Sequence, residues 1–290
     1  MKPRNRRSIL RNSTLNAFLV MSLAASSGAS AATLTWDGGA STAEMGTAAN
    51  WSGDVLPNGL NSDVMQFDGT ANPNLSLTYL TNSVELGNAP GVSINVTAGQ
   101  SGSLAFDGGL MTNNLRINST GVTIASGAGP VTFGNGTGSP AFNITAQNAT
   151  DLWTNNSSNT ATIMSDVSFG ITAAGAAALS FGGTGNWDVQ APMTPSNAAS
   201  LAIHKTGAGT LSLSGGGSLK NGPAGYGGTF GSVFKEGVTN ITAGSYAYNN
   251  TELVIGGLDT VGTNTQLNLS NSGNITGVSW LSIGRGNGAG

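Results

Sequence analysis

Cysteine is absent from this 290-residue chain, and histidine occurs once. The first absence removes disulfides, so stability has to come from packing and backbone hydrogen bonds. The second leaves His204 as the sole imidazole for any zinc site or Ser-His-Asp triad. Charge is scarce as well: 8% of residues are Asp, Glu, Lys or Arg, against about 25% in ordinary globular domains. A coiled coil, which depends on charged flanking positions, is thereby excluded. The disordered class is excluded too, because it stays unfolded through high net charge and little apolar material. Here 38% of residues are hydrophobic, enough to fill a long thin core, and Gly is plentiful at 45 residues.

Charge is also unevenly placed. Lys2, Arg4, Arg6, Arg7 and Arg11 precede every acid, an apolar run from Leu15 to Ala25 follows, and small residues end in Ala29-Ser30-Ala31. Basic start, short apolar stretch and A-x-A site are the three parts of a secretory signal peptide, here residues 1–31 with cleavage after Ala31. The run is too short for a membrane anchor, which needs about 20 residues. Without that segment five basic residues face all 13 acids, a net charge of about −8. Such a potential repels phosphate backbones and anionic lipid surfaces, so neither nucleic acid nor membrane is an expected partner. No second apolar stretch reaches spanning length.

From Phe67 onward the apolar residues come in short alternating runs such as Leu75-Ser76-Leu77, Val92-Ser93-Ile94-Asn95-Val96 and Leu211-Ser212-Leu213. Period-2 alternation predicts strands with one buried face. Their centres, near Phe67, Leu77, Leu86, Ile94, Leu104, Leu115, Ile124, Phe133 and Ile144, recur every 8–11 residues. The one helical candidate, Ala173 to Leu179, has Gly neighbours and no cap. This beat fits a β-sandwich or a parallel β-helix. The β-helix is favoured because the polar strand positions are Ser, Thr and Asn. Small neutral side chains can stack coil on coil where like charges would repel. Two or three such strands also make a coil of about 20–30 residues, within the solenoid range.

Turn chemistry supports a repeat. The step aromatic-Asp-Gly occurs at Trp36-Asp37-Gly38, Phe67-Asp68-Gly69 and Phe106-Asp107-Gly108, where Gly supplies positive φ and Asp caps nearby N–H groups. Lys205-Thr206-Gly207 before Leu211-Ser212-Leu213 is matched thirty residues later by Lys235-Glu236-Gly237 before Ile241. Residues 32–70, with Trp36, Trp51 and Pro57, read as an N-terminal cap over the first coil. Residues 71–290 read as the β-helix region, expected to continue beyond Gly290 into more repeats.

The stretch His204-Lys205-Thr206-Gly207-Ala208-Gly209-Thr210-Leu211-Ser212-Leu213-Ser214-Gly215 resembles the K-x-G-x-G-T-L-x-L-S-G core of the autotransporter-associated β-strand repeat. Gly227-Gly228-Thr229 followed by Gly244 is similar to the family's next step, after an inserted Gly-rich stretch from Gly216 to Tyr226. Trp280-Leu281-Ser282-Ile283-Gly284-Arg285-Gly286 resembles its L-x-[VI]-G-x-G turn. The resemblance implies a right-handed parallel β-helix passenger, secreted or held at the outer membrane on a bacterial cell surface. It brings no catalytic residue with it.

Catalytic, cofactor-binding and metal-ligating residues are therefore all expected to be none, and the protein is expected not to be an enzyme. His204, beside a turn lysine, reads as solvent-exposed. Gly182-Gly183-Thr184-Gly185-Asn186-Trp187-Asp188 comes near a calcium nonapeptide but reads as a turn, its Asp one place late. The acids Asp107, Asp151, Asp166 and Asp188 are scattered, while Asp63 and Asp68 lie in the cap, and Asp37 could stack on Asp68. Arg116 and Arg285 read as single surface charges. Trp153, Trp187, Trp280, Tyr226, Tyr246 and Tyr248 read as core or end-masking residues rather than sugar platforms. Function is expected to be adhesin-like, through multivalent contacts with an extracellular polysaccharide as the possible partner. The alternative is a carbohydrate-binding module or polysaccharide-degrading enzyme on the same fold.

Overall fold

A computed structural model describes residues 30–78, 89–107, 114–137, 142–146, 150–171, 176–194, 200–219, 231–256 and 264–284. Residues 1–29 of the proposed signal peptide, the Leu86 strand centre, Tyr226, Arg285 and the step at residues 227–229 lie outside them.

Alternating strands pair in parallel with strands one coil away, and the result is a β-solenoid. One face is an eight-stranded sheet running from Leu75–Leu77 through Leu104–Phe106, Val131–Phe133, Ala161–Ile163, Trp187–Val189, Thr210–Leu213 and Gly237–Ile241 to Thr265–Leu269. The other two faces share a 13-stranded sheet, because strands Asn114–Ile124 and Ser245–Ile255 each turn a corner. Asn114 to Ile117 pair with Asn143 to Ala146, whereas Val122 to Ile124 pair with Trp153 to Asn155. Gly121, at φ 72°, lies between the two halves. Coil length runs from 21 residues (Phe234 to Ile255) to 31 (Thr33 to Val64). The helical candidate is a strand where it is described, Ala176–Gly182.

Period 2 sorts the side chains into columns. Inward, Leu77, Phe106, Phe133, Ile163, Val189, Leu213 and Ile241 stack in register and are buried. A run of rings threads the core: Trp51, Phe67, Phe106, Phe133, Trp153 and Trp187, with neighbouring centroids 4.9–5.8 Å apart. Trp153, Trp187, Tyr246 and Tyr248 are thus core residues, one of the two roles expected for them, and Tyr246 and Tyr248 share one buried face.

The first coil is already part of the ladder, since Thr33 to Thr35 pair with Val64 to Gln66. Between those strands the chain makes short 3₁₀ turns at Ala48–Asn50, Ser52–Asp54 and Gly59–Asn61. Trp36 and Trp51 meet edge to face at 5.3 Å and pack on Phe67, burying all three rings. Asn50 fastens the loop: its amide donates to the Thr42 hydroxyl and the Glu44 carbonyl, both at 2.9 Å. The far end is different. Leu269 continues the Ile241 column and Ile283 lies against Ile255, yet Leu269, Leu281 and Ile283 are exposed along with Trp280. Among the described residues no coil covers them.

Candidate functional site

The outward positions of the eight-stranded face form the most regular polar feature. Ser76, Ala105, Thr132, Thr162, Asp188, Ser212, Asn240 and Asn268 stack coil on coil, half-buried or exposed, with one charge among eight. Asn268 donates to the Asn240 side-chain carbonyl at 2.9 Å. A second column runs Thr35, Gln66, Asn95, Thr123 and Thr154. There Gln66 donates to the Thr35 hydroxyl at 3.2 Å and Asn95 to the Gln66 carbonyl at 3.1 Å. Parallel pairing puts like beside like, and small neutral groups bond along the stack while still presenting polar atoms outward.

The acids hold turns. Asp63, buried, accepts the N–H groups of Ala32 and Asn58, both at 2.9 Å. Asp166, also buried, accepts those of Asn135 and Gly136 in the preceding coil at 3.0 and 2.9 Å. Asp37 and Asp68 each cap their own Gly-containing turn, accepting from Gly39 and Thr70, with Gly38 and Gly69 at positive φ. Asp107 accepts from the Asn135 amide and Asp188 from the Gln190 amide. The side chain of Asp151 lies outside the described residues. Among the described residues no three of His, Cys, Asp and Glu come together around one point. The glycine-rich stretch 182–188 spans the turn between Ala176–Gly182 and Trp187–Val189. Arg116 is half-buried rather than a free surface charge, and desolvation lowers its pKa.

His204 corrects the sequence reading. It is buried in strand Ser200–Lys205, where both faces are covered: Leu201, Ala202, Ile203, His204 and Lys205 are all inside. The uninterrupted apolar run Leu201-Ala202-Ile203 carries that signal, because a strand buried on both faces loses its alternation. Lys205, 1% exposed, sits in an otherwise aromatic stack between Phe181 and Phe234. Its ammonium donates to the carbonyls of Thr206 at 2.8 Å, Gly207 at 2.5 Å and Glu236 at 3.2 Å, binding one turn to the next coil. The lysine repeat is therefore out of phase. Lys205 pairs with Phe234, so Lys235 stands one residue further on, and the strands also depart from the thirty-residue offset: Leu211 pairs with Thr239 and Leu213 with Ile241.

No family model, curated protein or solved structure matches the chain. The site must speak for itself.

Burial pushes the His204 pKa down to about 4, with a backbone hydrogen bond at Gly231 opposing. The folded value lies below the unfolded 6.5, so the unfolded chain binds the extra proton. The stability contribution is complete above pH 6.5 and is lost as pH falls toward 4, amounting to about 3 kcal/mol. Burial also pushes Lys205 down to about 8, with Glu236 opposing. Its contribution rises between pH 8 and 10.5, a separate window. The His204→Gln chain is expected to show a flatter stability profile between pH 6.5 and 4 in urea titrations. An unchanged slope there would assign the acid sensitivity elsewhere.

Proposed function

We propose that this chain is an exported, non-catalytic β-solenoid repeat protein. It serves as a stalk, passenger or adhesin-like component of a bacterial cell surface, through many weak contacts along its polar columns. The outward stack from Ser76 to Asn268 is the observation that carries this reading. Hydroxyl or amide groups on six of the eight stacked strands match a partner that itself repeats, such as an extracellular polysaccharide. Each contact is weak, but successive ones are intramolecular and multiply the affinity.

Three further features support it. The basic start, apolar run and Ala29-Ser30-Ala31 step fit export. Carboxylates spent on turn N–H groups fit a scaffold better than acid–base chemistry, which needs them near a substrate. Apolar columns left uncovered at Leu269, Leu281 and Ile283 fit further coils stacking there. Among the described residues no helix is long and apolar enough to cross a membrane; the strands are not addressed by that observation.

Expressed in a Gram-negative host with its full N-terminus, the protein should begin at Ala32 when its mature end is sequenced, and protease added to intact cells should digest it. Intracellular protein still carrying Met1 would overturn the export reading.

A further inference from the structure

The N-terminal end holds a cavity of about 330 Å³ between the loop after Trp36 and the turn before Leu75. From its walls and floor we infer a binding site for one neutral sugar ring. Ligand pockets span roughly 300–1,000 Å³, so this one suits a small molecule. Trp36, Ala71 and Leu75 supply an apolar part, while Asp37, Thr42, Asn72 and Asn74 supply polar groups.

Each of these polar side chains is fixed at one atom and has another left unbonded. Asp37 accepts the Gly39 N–H with one carboxylate oxygen at 3.1 Å, leaving the second. The Asn72 carbonyl accepts the Asn74 N–H at 2.9 Å, and the Asn74 carbonyl accepts from Ser103 at 3.1 and 3.3 Å, leaving both amide NH₂ groups. The Thr42 oxygen accepts from the Asn50 amide at 2.9 Å, which leaves its proton to donate. Two amides and a hydroxyl as donors, one carboxylate as acceptor and an apolar strip are what a ring bearing several hydroxyls requires. The lining contains no cation, which disfavours anions. Its single carboxylate falls short of the several oxygen ligands that calcium takes.

A narrower void adjoins the cavity. Gln100 is fully buried and donates to the Pro73 carbonyl at 2.6 Å, yet its Oε1 has no hydrogen-bond partner. The narrow void it lines shares Trp36, Ala71, Asn72 and Leu75 with the cavity above. The void is too narrow for a water or a hydroxyl, so Gln100 belongs to the packed floor and the cavity's own lining groups make the ligand contacts.

This site goes beyond the column reading, being single and confined to one end. The test uses the full chain with glucose, galactose, mannose and N-acetylglucosamine as probes at millimolar concentrations, followed by NMR of the Trp36 indole N–H. At least one sugar should shift that resonance saturably. Asn72→Asp and Asp37→Asn keep the oxygen that accepts the turn N–H and invert what faces the cavity. Each should weaken binding about tenfold, the equivalent of losing one good hydrogen bond, with melting temperature unchanged. No saturable shift with any of the four sugars would overturn the inference. So would a sugar whose binding survives both substitutions. Binding along the columns is read separately, with the polysaccharide as probe, so either reading can fail alone.

Discussion

Trp153→Ala should destabilise the solenoid by about 4 kcal/mol, the upper range for emptying a buried aromatic site. Trp153 is the hub of the ring column: Phe133 lies 5.3 Å away, Trp187 5.8 Å, Phe181 6.1 Å and Phe169 6.4 Å. Deleting it strips contacts from two faces and two neighbouring coils, which cannot collapse because their backbones are held by the ladder. The indole N–H has no hydrogen-bond partner. Trp153→Phe therefore removes an unpaired donor along with part of the volume, and should cost less than about 2 kcal/mol. Because each coil contacts only its neighbours, amide hydrogen exchange should accelerate around Phe133 and Phe181 and stay unchanged near Trp36. A uniform acceleration along the chain would contradict nearest-neighbour stacking.

Gly121→Ala should be comparably damaging, for a reason that a matched glycine isolates. Gly121 and Gly53 have nearly the same backbone, φ 72° and 74°, so an alanine suffers the same left-handed strain at both, about 1 kcal/mol. Around Gly53 an added Cβ meets nothing within 4 Å. At Gly121 it would fall 1.7 Å from the Leu152 carbonyl oxygen of the next coil, closer than any non-bonded contact allows. The difference between the two variants in thermal or urea unfolding reports the closeness of coil stacking, and it should exceed about 2 kcal/mol. Equal effects would mean the coils part readily at this corner.

The legible parts of the fold were those with a period. Alternation in Leu104 to Phe106 or Thr210 to Leu213 marks strands, and neutral outward residues mark stacking, because both follow from geometry repeated once per coil. Gly38 and Gly69 were legible as turns because Asp-Gly has few other uses. The neighbourhood of His204 was not. A lysine before Thr-Gly resembles an exposed turn, and no local pattern says that its ammonium will fold over three carbonyls. Nor does spacing alone fix register: thirty residues separate Lys205 from Lys235, whereas the ladder pairs Lys205 with Phe234. The end cavity was invisible for a related reason. Asp37 and Asn72 are 35 residues apart, and only the folded chain brings both to the lining of one space.

The proposed binding is spread along the columns. The most direct measurement is the affinity of immobilised extracellular polysaccharide from the producing cells for the intact chain and for Thr132→Arg, Ser212→Arg and the double variant. Those positions share one column but lie several coils apart, so their effects should be independent. Each substitution should lower affinity about threefold and the double variant by the product, as for many equivalent weak contacts. Abolition by one substitution alone, or no loss even in the double variant, would contradict it.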